Sequence, residues 1–254
     1  MSKNTFNASE DYDLVVFCNR VVDKIAEQLA KHDPKPANLD IRSFSNKLVP
    51  CWVLPVEFKL LAKRIRLDIV FAKTTTLEVA SHCMHASRRD MIVLSILNNV
   101  KTFNKAGVLR RLKLDGYLRR SAVHEIVHHI IAKRFPSKAA YMKYSIETDV
   151  WSIDNVDERD ASYYNEPTEM NTHYFEIVHD TLELDRTSKH LKTFENYLKF
   201  ARSLHHDSFF DMLTDENMKK VKDRLHNFWR TYMHGTFDKK QTNWRFWMPE
   251  GVVN

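Results

Sequence analysis

Apolar positions recur at helical spacing near the start of the chain and at strand spacing further on. From Tyr12 to His32 the apolar residues fall about one helical turn apart, which predicts an amphipathic helix that ends at the His-Asp-Pro-Lys-Pro stretch. Arg64–Phe71 alternates with a period near two before it turns wholly apolar, and Asp90–Ile96 is a short apolar run. We therefore expect an N-terminal helix followed by at least two strands.

The longest helical pattern runs to Ala132. It starts at about Gly107 or, if Gly116 breaks it, at about Tyr117, and Phe135-Pro136 closes it. Apolar residues cover a broad surface of this helix: Leu118, Ala122, Val123, Ile126, Val127, Ile130 and Ile131. Such a broad apolar surface predicts a helix that lies deep in the domain.

The rest of the chain has a helical pattern, apart from residues 137–164, which are polar and aromatic and predict an irregular surface excursion. Pro167 suits the first position of a helix whose buried stripe includes Tyr174 and Ile177. Further helices are expected at about 188–204 and 215–233, and the aromatic end at 244–249 should dock onto the body. The pattern predicts an α+β fold with a main domain at 1–186 and a helical extension at 187–254.

Composition narrows the classes of function. The 254 residues carry a net charge of +6 and only four glycines, and we find no glycine-rich phosphate loop, which argues against nucleotide-dependent chemistry. Cys18, Cys51 and Cys83 are too few and too widely spaced for a disulfide framework. With no apolar leader and no apolar run of about 18 residues, the sequence predicts a soluble cytoplasmic protein without a membrane partner.

The motif His124-Glu125-Ile126-Val127-His128 carries the candidate chemistry. Two histidines four residues apart project from one face of a helix, so their imidazoles can reach one ion. Glu125 lies beside the first ligand, where a carboxylate can act as a general base toward a water molecule. Because these polar residues fall inside a strongly apolar helix, we favour a metal site over histidines on a solvated face.

The third ligand is expected on the helix that begins at Pro167. Glu169, His173 and Glu176 share one face of this helix, separate from its apolar stripe. We favour Glu169 as the ligand, with His173 or a residue elsewhere in the chain as alternatives. Zinc is the metal that two imidazoles and one carboxylate most often hold in catalytic sites.

At this point the sequence resembles the zincin metallopeptidases, and more narrowly their gluzincin branch with two histidines and a downstream glutamate. The resemblance covers about residues 64–184. The segment Pro167-Thr168-Glu169, followed by Tyr174, also resembles small metallopeptidase-like proteins of bacteriophages and bacteria. The resemblance to zincins implies that His124, His128 and Glu169 bind zinc, and that Glu125 is the general base in peptide hydrolysis. It also implies a small mixed sheet packed on an active-site helix and a ligand helix.

The resemblance leaves other roles open. His129 follows the motif directly and the longer metzincin motif is missing, which excludes metzincins. A donor for the developing oxyanion is expected among Tyr163, Tyr164, Tyr174 and His173, with Tyr164 and His173 favoured. His129 either supports Glu125 or is exposed. In zincins an edge strand holds an extended substrate, and we assign this role to Asp90–Ile96.

Two further clusters and two rival functions remain. His82-Cys83-Met84-His85 lacks further ligands and is expected to be structural, and the basic stretch from Lys101 to Arg120 is expected to be a solvated face.

The first rival function is a binding or structural protein, such as a phage particle component or regulator. The second is a protease of nucleic-acid-bound proteins, for which the basic charge is the only support. The expected partner is a protein or peptide substrate, and the sequence does not predict an oligomeric state.

Overall fold

The computed structural model describes residues 8–40, 48–60, 63–74, 80–83, 90–97, 104–114, 116–133, 155–204 and 208–235. The chain divides into two compact units. The first, which we call the sheet unit, comprises Phe17–His129, and the second, the helical unit, combines Met1–Val16 with Ile130–Asn254. None of the described helices has the length and apolar character that crossing a bilayer requires.

Among the described residues, five strands form the mixed sheet of the sheet unit. They are β1 (Lys35–Asp40), β2 (Leu48–Leu60), β3 (Lys63–Thr74), β4 (Ala80–Cys83) and β5 (Asp90–Leu97). The strand order is β1-β2-β3-β5-β4, with β3 and β5 parallel and the other pairs antiparallel. The strands expected at 64–71 and 90–96 are confirmed as β3 and β5.

The expectation that Asp90–Ile96 is an edge strand is wrong. Strand β5 pairs with β3 along one side, and along the other side β4 pairs with its residues Met91–Leu94. Among the described strands, the edges are β1 and the short strand β4. The buried residues Ile92, Val93 and Leu94 explain the apolar run, because an interior strand is covered on both faces.

The face of the sheet that carries Leu67 and Ile69 is covered by helices. Cross-strand pairing places Asp90 beside Leu67 and Ile92 beside Ile69, so Asp90 points to this same face. Phe17, on helix α1 (Ala8–Lys31), packs its ring 5.9 Å from that of Phe58. Helix α1 confirms the helix expected from Tyr12 to His32 and begins four residues earlier, at Ala8.

Two more helices follow the sheet, α2 (Lys105–Leu114) and α3 (Gly116–Ala132). The long helical pattern is therefore interrupted just before Gly116, as one of the two expected starts required. Arg119 anchors the first turns of α3 to α1, since its guanidinium donates to Asn19 at 2.9 Å and to Asp23 at 2.8 Å.

The described residues from 155 onward are helical. They form α4 (Val156–Asn165), α5 (Pro167–Leu182), a 3-10 turn (Lys189–Leu191), α6 (Phe194–Leu204), α7 (Ser208–Met212) and α8 (Asp215–His234). The irregular excursion expected at 137–164 is wrong at its end, where Asn155 caps α4 by accepting from two backbone amides. The helix expected at 188–204 is shorter than predicted, and residues 137–154 and 244–249 lie outside the described residues.

Candidate metal centre

Helix α3 carries both motif histidines in a fully buried segment. Every residue from Ala122 to Ala132 is buried, and His124 and His128 are each 7% exposed. A helix with no solvated face over three turns leaves no position for histidines that simply face water. The alternative of histidines on a solvated face is therefore excluded, and their polar atoms need partners inside the protein.

The two imidazoles converge on one point. Their Nε2 atoms lie 3.0 Å apart, and their ring centroids are 4.8 Å apart with planes inclined at 61°. In a tetrahedral zinc site with bonds of about 2.0–2.1 Å, two ligand nitrogens are separated by roughly 3.3 Å. The observed spacing is close to this value, so the pair fits two ligands of a single metal ion as well as a histidine–histidine hydrogen bond.

Glu125 follows the first histidine and is 5% exposed. Its position in the same turn is fixed by the helix backbone, whose rise is about 1.5 Å per residue. A buried carboxylate costs free energy unless it is hydrogen-bonded or close to a positive charge. Glu125 is thus a buried acidic group beside two groups that can bind a cation.

His129 is buried, so the expectation of an exposed histidine is wrong, while the alternative that it supports Glu125 stays a prediction. Its side chain is 0% exposed, and its Nδ1 atom lies 3.6 Å from Oδ2 of Asp90 at the start of β5. This separation is longer than that of a direct hydrogen bond, which is about 2.7–3.2 Å. Asp90 at the start of β5 thus lies beside the helix turn that bears the motif, and sequence reasoning missed this neighbour.

Glu169 lies in the first turn of α5, where Pro167 occupies the first helical position. The hydroxyl of Thr172 donates to the backbone carbonyl of Glu169 at 2.9 Å, which adds a second constraint on this turn. A carboxylate near a helix N-terminus is stabilised by the helix dipole. The sequence thus places a half-buried carboxylate at a point fixed by the start of the helix.

His173 lies one turn further along α5 and is already oriented by a neighbour. Its Nδ1 atom is 2.8 Å from Oε2 of Glu176, and the two side chains are only 15% and 10% exposed. The carboxylate holds the imidazole by its Nδ1 side. Glu176 is the partner that sequence reasoning placed on the same face without giving it a role.

Aromatic rings enclose His173 within the helical unit. The ring of Tyr164, at the end of α4, has its centroid 5.2 Å from that of His173, and Phe209 lies at 5.0 Å. Tyr163 is more distant, at 6.3 Å. The structure thus brings together Tyr164 and His173, the two residues favoured as oxyanion donors, while their catalytic role stays a prediction.

His124 and His128 on α3, and Glu169 on α5, have the donor types and the burial of metal ligands. The same is true of His173 and Glu176 on α5. Two imidazoles and one carboxylate are the protein ligands of many catalytic zinc sites, which keep a fourth position for water. The donor set fits such a metal, while His82 and Cys83 belong to the edge strand β4 and Met84 and His85 lie outside the described residues.

Comparison with known proteins gives no independent assignment. No family model, no curated protein and no solved structure matches the chain. What can be said of function therefore rests on the residues and their geometry. The family stays a resemblance carried by the histidine motif on α3 and by Pro167-Thr168-Glu169 at the start of α5.

Proposed function

We propose that this protein is a zinc-dependent peptidase with a zincin-like fold, in which His124, His128 and Glu169 bind the metal and Glu125 is the general base. The observation that carries the proposal is the 3.0 Å separation of the two histidine Nε2 atoms on a helix turn with no solvated face. Imidazole nitrogens are common ligands of divalent metal ions. A divalent cation is a partner that suits both rings at once.

Glu169 is preferred to His173 as the third ligand because the His173 ring already contacts Glu176. The Nδ1 atom of His173 is engaged by Glu176 at 2.8 Å, which suits a residue that is oriented for donating or accepting a proton. Glu169 supplies the negative charge that two neutral imidazoles lack. The resulting set of two histidines and one glutamate leaves a fourth position open for water.

When bound, zinc supplies Lewis-acid chemistry, since it lowers the pKa of a coordinated water to about 7. Glu125 then accepts a proton from the water as the water oxygen adds to the carbonyl carbon of the peptide bond. The same carboxyl group passes this proton to the leaving nitrogen as the C–N bond breaks. The products are a carboxylic acid and an amine, and Glu125 returns to its ionised form.

His173 and Tyr164 are proposed to donate to the oxygen that becomes negative during this addition. The two rings lie 5.2 Å apart and both belong to the helical unit, so one can compensate for loss of the other. Removing a single oxyanion donor from a hydrolase lowers kcat by about 100–1,000-fold. We expect the same range for the double variant Tyr164→Phe, His173→Ala, and less for either change alone.

The substrate is proposed to bind as an extended strand along β4 instead of β5. Strand β4 is short and has only one partner strand among the described residues. An edge strand offers unpaired backbone groups to an extended peptide, which gives affinity with little demand on side-chain identity. The proposed substrate class is therefore an unfolded or extended polypeptide.

The experiment measures zinc and turnover on the same samples. Purified wild-type protein should contain about one zinc per chain and cleave an unfolded protein such as casein, whereas the double variant His124→Ala, His128→Ala should lose both properties. Glu125→Gln should retain zinc and lose cleavage. Glu183→Gln, which changes an exposed glutamate at the end of α5, serves as the matched control and should behave as wild type.

Each outcome has a distinct meaning. Full cleavage by zinc-loaded Glu125→Gln would refute the general-base assignment, and wild-type protein that binds no zinc after reconstitution would refute the metal site. Zinc binding without cleavage of any peptide would favour a binding or structural role for the same fold. A chelator that abolishes cleavage, with recovery on added zinc, would support the proposal.

A further inference from the structure

A second buried polar cluster joins three helices of the helical unit. Asp11 on α1 is 1% exposed and lies beside Tyr174 on α5 and Arg224 on α8. Asn171, also on α5, completes the group. None of these four residues belongs to the histidine motif or to the proposed ligand set.

Hydrogen bonds satisfy the Asp11 carboxylate on every side. Arg224 donates from Nε to Oδ2 at 3.1 Å and from Nη2 to Oδ1 at 2.8 Å, and the Tyr174 hydroxyl donates to Oδ2 at 2.6 Å. Burial, and after it the charge of Asp11, raises the pKa of Tyr174 well above its usual value, so the hydroxyl remains a donor. This two-pronged arginine–carboxylate geometry fixes the direction of the guanidinium as well as its place.

Two aromatic rings also hold the Arg224 guanidinium in place. Its central carbon lies 3.8 Å from the centroid of the Tyr174 ring and 4.8 Å from that of Phe175. Stacking on an aromatic face and a paired carboxylate together leave a planar cation with little rotational freedom. Arg224 is therefore a rigid support whose remaining nitrogen, Nη1, points at Asn171.

Asn171 transmits this support to the first turn of α5. Its Oδ1 accepts from Nη1 of Arg224 at 2.7 Å, and its Nδ2 donates to the carbonyl of Pro167 at 2.6 Å. Glu169 lies between these two anchor points along the chain. In an α-helix the carbonyl of Pro167 also accepts from the backbone amide four residues later, so the Asn171 side chain adds a second hydrogen bond to the first turn.

We propose that Asn171, held by Arg224, is a positioning residue that fixes the first turn of α5 and with it the metal-binding carboxylate of Glu169. The inference rests on the proposed function, because it assigns Asn171 a role in metal binding. Groups that orient a metal ligand without touching the metal typically change affinity or activity by about 10–100-fold when removed. Asn171 holds the ligand's backbone, and we expect an effect near the lower end of that range.

A purely structural asparagine would behave differently. Alanine is the best helix former, and asparagine is among the poorer ones in a helix interior. If Asn171 served only the stability of α5, its replacement by alanine would change zinc affinity no more than replacement of any other helical asparagine. The proposal instead requires a loss of affinity in a protein that remains folded.

The test compares zinc affinity and the visible absorption of cobalt-substituted protein across matched variants of the full chain. Asn171→Ala should bind zinc about tenfold more weakly and show an altered cobalt spectrum, with the far-ultraviolet circular dichroism of wild type. Asn171→Asp keeps the oxygen that accepts from Arg224 but has no amide to donate to the Pro167 carbonyl, so it should lose affinity as Asn171→Ala does. Asn196→Ala is the control, because Asn196 on α6 also donates to a backbone carbonyl, that of Lys189, but is exposed.

The outcomes separate this inference from the proposed function. Wild-type zinc binding with an unchanged affinity and spectrum in Asn171→Ala would overturn the positioning role and leave the metal site intact. A wild-type protein that binds no zinc would overturn both. A tenfold loss in both Asn171→Ala and Asn171→Asp, with near-normal binding in Asn196→Ala, would support the assignment.

Discussion

Replacement of Asp11 by alanine should destabilise the protein strongly, because it strands a buried cation. The carboxylate is 1% exposed and takes two hydrogen bonds from Arg224 and one from Tyr174. Removing one partner of a buried ion pair costs about 3–5 kcal/mol, since the remaining charge is left without compensation. For a chain of this size each kcal/mol lowers the melting temperature by about 2–4 °C, which gives a drop of roughly 6–20 °C.

A double-mutant cycle separates the interaction energy of the Asp11–Arg224 ion pair from the other effects of each substitution. In the variant Asp11→Leu, Arg224→Met both charges are replaced by apolar groups, so neither is stranded. We expect its loss of stability to fall short of the sum of the two single losses by on the order of 2 kcal/mol. Urea unfolding followed by circular dichroism gives the free energies of unfolding for the four proteins.

The control is an exposed ion pair of the same unit. Glu195 and Lys199 lie 2.8 Å apart on α6, with side chains 78% and 72% exposed. Glu195→Ala should leave the melting temperature nearly unchanged, because water screens such pairs. If Asp11→Ala were no more damaging than this control, or if the double variant lost the sum of the single losses, the reasoning about a stranded buried charge would be refuted.

Four further outcomes are expected. Cys18 should resist alkylation in the folded protein and react fully after unfolding, as mass spectrometry would show, because it is 0% exposed and burial raises the pKa of its thiol. The free energy of unfolding should fall as the pH rises above about 9, which a urea series at pH 8 to 11 would test. Burial raises the pKa of Cys18, Tyr174 and Tyr197 in the folded state, so only the unfolded chain ionises in this range. Asn165→Ala should cost about 1–3 kcal/mol in urea unfolding, because the Asn165 amide donates to two backbone carbonyls and its oxygen accepts two hydrogen bonds. A chelator should lower the melting temperature of wild type but not of His124→Ala, and equal shifts in both proteins would contradict metal-linked stability.

Local patterns predicted the elements whose geometry is set within one or two turns of chain. The four-residue spacing of His124 and His128 places both rings on one face of any helix, and Pro167 has no amide hydrogen to lose at a first helical position. Both expectations follow from backbone geometry alone, and the structure has both helices in place. Strand β2 was missed because Pro50 and Pro55 interrupt its pattern, although both prolines lie within paired positions.

The sequence by itself determined the motif, its helical setting and the position of Glu169 in a first turn, because the helical repeat fixes these relations over a few residues. Only the tertiary structure decided that β5 is an interior strand, that His129 faces Asp90, and that Arg224 supports Asn171. These pairings join residues dozens of positions apart in one chain. No local periodicity records them, since they depend on how separate elements pack to bury apolar surface and to pair buried charges.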